Sequence, residues 1–502
     1  MTNDNGFRLT RREMIKTTGI FGVGLGMNGC HLSQSSDKLL TRQLGQTGFE
    51  VTTMGLGGQG SLQWTPAGVV PEKIIIKAME MGINYFDTSN VYGPSQLTYG
   101  KAFRTLHLIP GRAGYDEKKR RSIFLASKTL LRAGKGTVPD GLNSWTHGPD
   151  GSLAIDDLKR TLTQVFGDGK GYYPKGSYVD VFQLHDVKAK EEITALRIGL
   201  DNPDPNADFI GTLAALRDYR DGTNRTGLNP KEERLIRHIG LSGHNSAPAL
   251  MEMIQLDTEN LLETILLTIN PNDRFYLNMQ YNALPVAAEK GMGVISMKVF
   301  ADGAMYTKPS RWTEGPDDVV TSIGSPSLSS EALIQYSVST PGVSTTIMGI
   351  GHIDNDPAKC QLYQNLAASQ IRSGALSNAQ RRAIEQQTSR VKNGKTNWFQ
   401  AEYRDLTAPN RALLTQTVKG KKREVKLTWN NSYAGDAPIS HYEIIRDGQK
   451  IDQVAFKPQI SRKPLVYDDS VTGTNGHEYE LICVDHMGRK AKTQKLVAES
   501  VG

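Results

Sequence analysis

Gly82-Ile83-Asn84-Tyr85-Phe86-Asp87-Thr88-Ser89-Asn90-Val91-Tyr92-Gly93 is an apolar run that ends on a carboxylate and, five residues later, releases a tyrosine. Two further runs behave alike. Phe124-Leu125-Ala126-Ser127 delivers Lys128, and Gln183-Leu184 delivers His185. If the three runs are neighbouring parallel strands, an aspartate, a tyrosine, a lysine and a histidine converge at one end of the sheet. Taken singly, each is an ordinary loop or packing residue. The argument lies in their coincidence at successive strand ends.

Working outward, short apolar runs alternate with helical patterns from Leu39 onward. The runs are Val51 to Leu56, Ile83 to Phe86, Ile123 to Ala126, Val179 to Leu184, His238 to Leu241, Tyr276 to Met279, Gly293 to Met297 and Ser344 to Met348. Between them lie segments such as Ile155, Leu158, Leu162 and Val165, spaced to share one helix face. Eight such units predict an α/β fold closed as a (β/α)8 TIM barrel. Three long connections, Leu131 to Ser152, Asp186 to Asp208 and Ala301 to Ser329, follow strand ends and should build the rim of a site. Trp145, His147 and Trp312 on them, and Trp64 after the first run, are candidates to touch a substrate. Gly55-Leu56-Gly57-Gly58 reads as a tight strand exit rather than a phosphate cradle.

The region from 38 to 406 resembles the aldo-keto reductase family, with Asp87, Tyr92, Lys128 and His185 where that family carries its catalytic residues. The resemblance implies hydride transfer between a nicotinamide and a small carbonyl or alcohol, a sugar among the substrates it would take. Tyr92 would be the proton donor. An isolated phenol titrates near about 10 and donates poorly at neutrality. Lys128 beside it would favour the phenolate, Asp87 would balance the lysine, and His185 would orient the carbonyl oxygen. By the same resemblance Ser242 and Gln280 would hold the nicotinamide carboxamide, and Met297 and Lys298 would stand where relatives stack an aromatic ring. Gly349, Gly351 and Asn365 would wrap the adenosine end. The arginine that relatives set against a 2′-phosphate is missing, and Lys359 is the available substitute, so NADP is expected with NAD as the alternative. A different class remains open: a non-catalytic nucleotide-binding barrel serving as a cell-envelope scaffold.

The two ends of the chain read differently. Arg11-Arg12 precede a short, Gly-rich apolar stretch from Thr17 to Met27, so residues 1–30 resemble a twin-arginine export signal. This implies the export machinery as a partner and a periplasmic or cell-envelope location. Gly29-Cys30 resembles a lipoprotein processing site, which would make Cys30 a membrane anchor. Residues 407–421 read as a basic linker. From 422 to 502 period-two alternation, the Asp447-Gly448 turn and Tyr479 resemble an immunoglobulin-like, fibronectin type III sandwich, all-β and small.

Composition narrows the rest. Across 502 residues the net charge of +7 is scattered without a long basic run, so no nucleic-acid partner is indicated. Besides Cys30 there are only Cys360 and Cys483, which read as buried thiols rather than a disulfide framework.

Overall fold

The computed structural model describes residues 38–138, 142, 145–321, 324–325, 328–420 and 422–500, so the arginine-pair segment and Cys30 lie outside the described residues. Eight parallel strands close a barrel: β1 Met54–Leu56, β2 Tyr85–Asp87, β3 Phe124–Thr129, β4 Val179–Leu184, β5 Ile236–Gly243, β6 Leu262–Thr268, β7 Gly293–Met297 and β8 Val343–Met348. Alternate side chains point inward. Tyr85, Phe124, Ala126, Val181, Leu266 and Ile295 fill the interior, while the opposite faces pack on the outer helices. The helix Ala154–Phe166 buries Ile155, Leu158, Leu162 and Val165, the face its spacing predicted.

A hairpin, Thr41–Gln43 paired with Glu50–Thr52, plugs the lower end of the barrel through Leu44 and Val51. Its turn approaches β7 so closely that a Cβ on Gly45 would stand 2.1 Å from the Gly293 nitrogen. Only glycine fits there, and its φ of +54° fits glycine as well.

One predicted strand is corrected. Tyr276 to Met279 lies in a connection, and β6 is instead Leu262–Thr268. That run, Leu-Glu-Thr-Ile-Leu-Leu-Thr, is buried on both faces and lacks alternation, so its pattern does not separate a strand from a buried helix.

After a helical segment ending near Gly394 come antiparallel strands only: β9 Asn410–Lys419, β10 Lys422–Asn430, β11 Ile439–Arg446, β12 Gln449–Ala455, β13 Leu465–Thr472, β14 His477–Asp485, β15 Lys490–Lys492 and β16 Leu496–Ala498. One sheet is ordered β9-β10-β13 and the other β12-β11-β14-β15, with β16 also on β14. Trp429, Tyr442, Ile444, Tyr479 and Leu481 form their core. The stretch predicted as a linker is therefore largely strand β9, paired with β10. Tyr479 donates to the Asp469 carboxylate at 2.7 Å, rather than to a backbone group as a tyrosine corner would. Cys360 and Cys483 are free and buried.

The sheets are seated on the barrel by backbone recognition. Asn282 Oδ1 accepts from the Ala434 nitrogen at 2.8 Å while its Nδ2 donates to the Ala434 carbonyl at 3.2 Å, and Asn278 donates to the Gly435 carbonyl at 2.8 Å.

Candidate active site

Adjacent pairing of β2, β3 and β4, with Asp87 opposite Ala126 and Lys128 opposite Gln183, brings their ends to one mouth of the barrel. Lys128 donates to Asp87 Oδ2 at 2.5 Å and to the Thr88 carbonyl at 2.8 Å, with both charged groups fully buried. Burial pushes Asp87 up and Lys128 down from their ordinary values, and each charge opposes the push on the other. Asp87 Oδ1 has no partner among the described residues.

Tyr92 lies over this pair, its ring centre 4.7 Å from Lys128 Nζ. The aspartate, lysine and tyrosine thus meet as the sequence predicted, but the electrostatics differ from expectation. The Tyr92 phenol is raised well above its ordinary value, first by burial and then by Asp87, Asp186 and Asp302. The reason is local: burial strips solvent from the phenolate, and three nearby carboxylates repel it. Tyr92 is therefore a protonated donor at neutral pH rather than a phenol poised to ionise.

His185 meets the Tyr92 ring edge-on at 5.9 Å. Its Nδ1 lies 3.2 Å from Ser89 Oγ, and burial followed by the Lys128 charge holds its titration well below the ordinary range. A neutral imidazole whose Nδ1 accepts from Ser89 carries its proton on Nε2, the arrangement that donates to a carbonyl oxygen.

A cleft extends from this mouth along the ends of β7, β8 and β1. Met297, Lys298, Gly349 and Gly351 line it, with Gly57, Gly58 and Gln59 opposite. The glycines are required by close approach: a Cβ on Gly58 would lie 2.4 Å from the Asp87 carbonyl, and one on Gly351 would lie 2.3 Å from the Val320 carbonyl. Lys298, at φ +57°, donates to Gln59 at 3.2 Å, and its ammonium sits 4.6 Å from the Trp312 ring centre.

Three residues predicted to hold cofactor do not line the cleft. Ser242 Oγ is buried and accepts from the Asp186 nitrogen at 3.1 Å. Gln280 sits in the turn Met279–Ala283, accepting from Tyr336 at 3.0 Å; its predicted place depended on the misplaced sixth strand. Asn365 is buried on the helix Gln361–Ala368, with Nδ2 lacking a partner among the described residues. Lys359 is exposed and lies 3.6 Å from Asp356.

The end of the true β6 leads instead to Asn270, which donates to the Lys298 carbonyl at 2.9 Å. Sequence reasoning missed it, although it is the first amide after the apolar run from Leu261. Of the rim tryptophans, Trp312 stands beside the cleft, 5.5 Å from His244. Trp145 is half-exposed against His147, and Trp64 keeps a buried Nε1 without a partner among the described residues.

Glycine backbone lining a cleft beside a buried phenol, ammonium and neutral imidazole defines the site of a barrel oxidoreductase. The aldo/keto reductase family model matches residues 53–319, more than half of the chain, and the chain belongs to that family of NAD(P)-dependent oxidoreductases. It is 28% identical over 180 residues to a Schizosaccharomyces pombe protein named as a voltage-gated potassium channel subunit beta, covering 31% of this chain and 50% of that one. The chain thus spans half the length of that relative. It is 22% identical over 353 residues to the uncharacterized oxidoreductase YqkF of Bacillus subtilis, covering 66% of this chain and 91% of that one. Among solved structures, an aldo-keto reductase of Klebsiella pneumoniae in complex with NADPH is 16% identical, covering 67% of this chain and 91% of its own, at a TM-score of 0.39. One from Pseudomonas aeruginosa is 20% identical, covering 66% and 94%, at a TM-score of 0.38.

Proposed function

We propose that the protein is an exported reductase that uses NADP, with NAD the alternative, on a small carbonyl or alcohol of sugar-like kind. The observation that carries the chemistry is Tyr92 lying against the Lys128 ammonium with His185 edge-on beside it. The backbone of Gly57, Gly58, Gly349 and Gly351 lines the cleft, a lining of amide groups that suits an anionic nicotinamide dinucleotide. Lys298 adds a cation to that lining. When bound, the nicotinamide supplies hydride to the carbonyl carbon.

His185 Nε2 donates to the carbonyl oxygen and fixes its direction. Tyr92 Oη then gives its proton to that oxygen, completing the alcohol. The phenolate left behind gains what the phenol did not, the attraction of the Lys128 ammonium, so stabilisation rises as the proton departs. Asp87 keeps that ammonium in place.

The Arg11-Arg12 signal supports export in the folded state with nucleotide already loaded, followed by a periplasmic or envelope location with Cys30 as a lipid anchor. No reduced nicotinamide pool exists there, so alternate oxidation and reduction on one retained nucleotide fits the setting. The three-stranded and five-stranded antiparallel sheets support a fibronectin type III-like spacer or partner-facing role. The test is to purify the protein from the periplasm, identify the nucleotide released on denaturation, and follow NADPH absorbance with aldehydes and sugars. Nucleotide-bearing protein that consumes NADPH is expected; nucleotide-free protein without turnover would overturn the proposal.

A further inference from the structure

Immediately after His185 the chain does something unusual. Asp186 has φ +52°, a left-handed conformation that costs a non-glycine residue energy and persists where neighbours impose it. The neighbours here are specific. The Asp186 nitrogen donates to Ser242 Oγ, and its carbonyl accepts from Arg132 at 3.0 Å. Its Oδ1 accepts from both the backbone nitrogen of His244, at 3.2 Å, and Nδ1 of the same residue, at 2.9 Å. The strain therefore serves to grip one imidazole.

His244 lines the cleft, and its Nε2 has no hydrogen-bond partner among the described residues. With Nδ1–H donated to the carboxylate, the ring leaves Nε2 to exchange a hydrogen bond with a ligand in the cleft. Its ring centre is 6.4 Å from that of His185. A ligand with two neighbouring oxygens can pair with both rings at about 2.8 Å, one oxygen accepting from His185 and a hydroxyl pairing with His244. A carbonyl with a hydroxyl on the next carbon has that pair. The indole of Trp312, 42% exposed and stacked on Phe399, stands 5.5 Å from His244 and presents an apolar surface to the carbon chain.

We infer that His244, gripped by Asp186, reads a hydroxyl adjacent to the reacting carbonyl, so that the site favours α-hydroxyaldehydes and α-hydroxyketones over plain aldehydes of equal length. The inference rests on the reductase reading and names the substrate feature that its site selects. A site built to pair a hydroxyl loses more when the hydroxyl is absent than an apolar pocket gains.

The test compares kcat/KM for glycolaldehyde against acetaldehyde, and for glyceraldehyde against propanal, in the wild-type full chain, His244→Phe, His244→Gln and Asp186→Asn. The wild type should prefer each hydroxylated member by roughly tenfold or more. His244→Phe should bring that ratio close to one, mainly by raising KM for the hydroxylated substrates. His244→Gln keeps an acceptor and should restore part of the ratio. Asp186→Asn, which frees the tautomer, should fall between. Equal kcat/KM within each pair in the wild type, or a ratio retained in His244→Phe, would overturn the inference while leaving the reductase reading intact. Absence of turnover with every aldehyde would instead overturn that reading, and the inference with it.

Discussion

The barrel contains a buried ion pair at each end, and the two are built differently. Near the lower end Arg120 pairs with Asp180 at 2.9 Å. The Asp180 carboxylate also accepts from the Leu125 nitrogen at 2.9 Å and from Arg237 at 3.3 Å, so both of its oxygens are occupied. The guanidiniums of Arg120 and Arg237 lie 4.0 and 3.8 Å from the centre of the Tyr178 ring. At the upper end Lys128 pairs with Asp87 and donates to the Thr88 carbonyl, yet Asp87 Oδ1 is unpartnered among the described residues and the ammonium also faces the Tyr92 ring. The lower carboxylate is saturated and ties β3, β4 and β5 together. The upper pair keeps electrostatic capacity in reserve for a charge that appears only during reaction.

Breaking either pair should separate these roles. The largest effect is expected for Lys128→Met, which leaves Asp87 as an uncompensated buried carboxylate: activity should be lost and stability should drop by about 3–5 kcal/mol, seen together in turnover and denaturant melts. Arg120→Met should show a similar loss of stability, again about 3–5 kcal/mol, with kcat preserved at temperatures where the variant stays folded. A fall in kcat in parallel with that of Lys128→Met would erase the distinction between the two ends.

The difference in legibility follows the same physics. Asp87, Lys128 and His185 were readable because each closes a mostly apolar run, with Tyr92 five residues past the first, positions that barrel geometry turns into proximity. Ser242 and Gln280 were not. Ser242 faces Asp186, a choice made by a backbone angle two strands' connections away, and Gln280 was misassigned because Leu262–Thr268 has no alternation to mark it as a strand. Strand β9 hid because its exposed positions mix Arg411, Thr415 and Thr417 with Leu413, which blurs the alternation. The rise in the Tyr92 phenol was invisible too, because a sequence places a lysine near a tyrosine but does not show that burial and three carboxylates outweigh it.

A smaller effect concerns pH. His185 titrates lower in the folded chain than its ordinary value of about 6.5, because burial and then Lys128 disfavour its protonated form. The unfolded chain therefore binds the extra proton first, and the stability this neutral imidazole supplies is present above about pH 6.5 and lost as pH falls below it. Melting temperatures taken from pH 8 to pH 5 should decline, and His185→Gln should remove part of that decline. The smallest expected change is at the seam with the C-terminal sheets: Asn282→Ala leaves both backbone groups of Ala434 unpaired and should cost about 1–3 kcal/mol, measured by chemical denaturation, without altering the selectivity of the cleft.

The account stands most directly on single-turnover reduction by Tyr92→Phe, which deletes the phenolic proton and retains the ring. Hydride transfer should slow by about 10²–10⁴-fold while the melting temperature and bound nucleotide stay as in the wild type. Transfer at the wild-type rate in a normally folded, nucleotide-loaded Tyr92→Phe would contradict it.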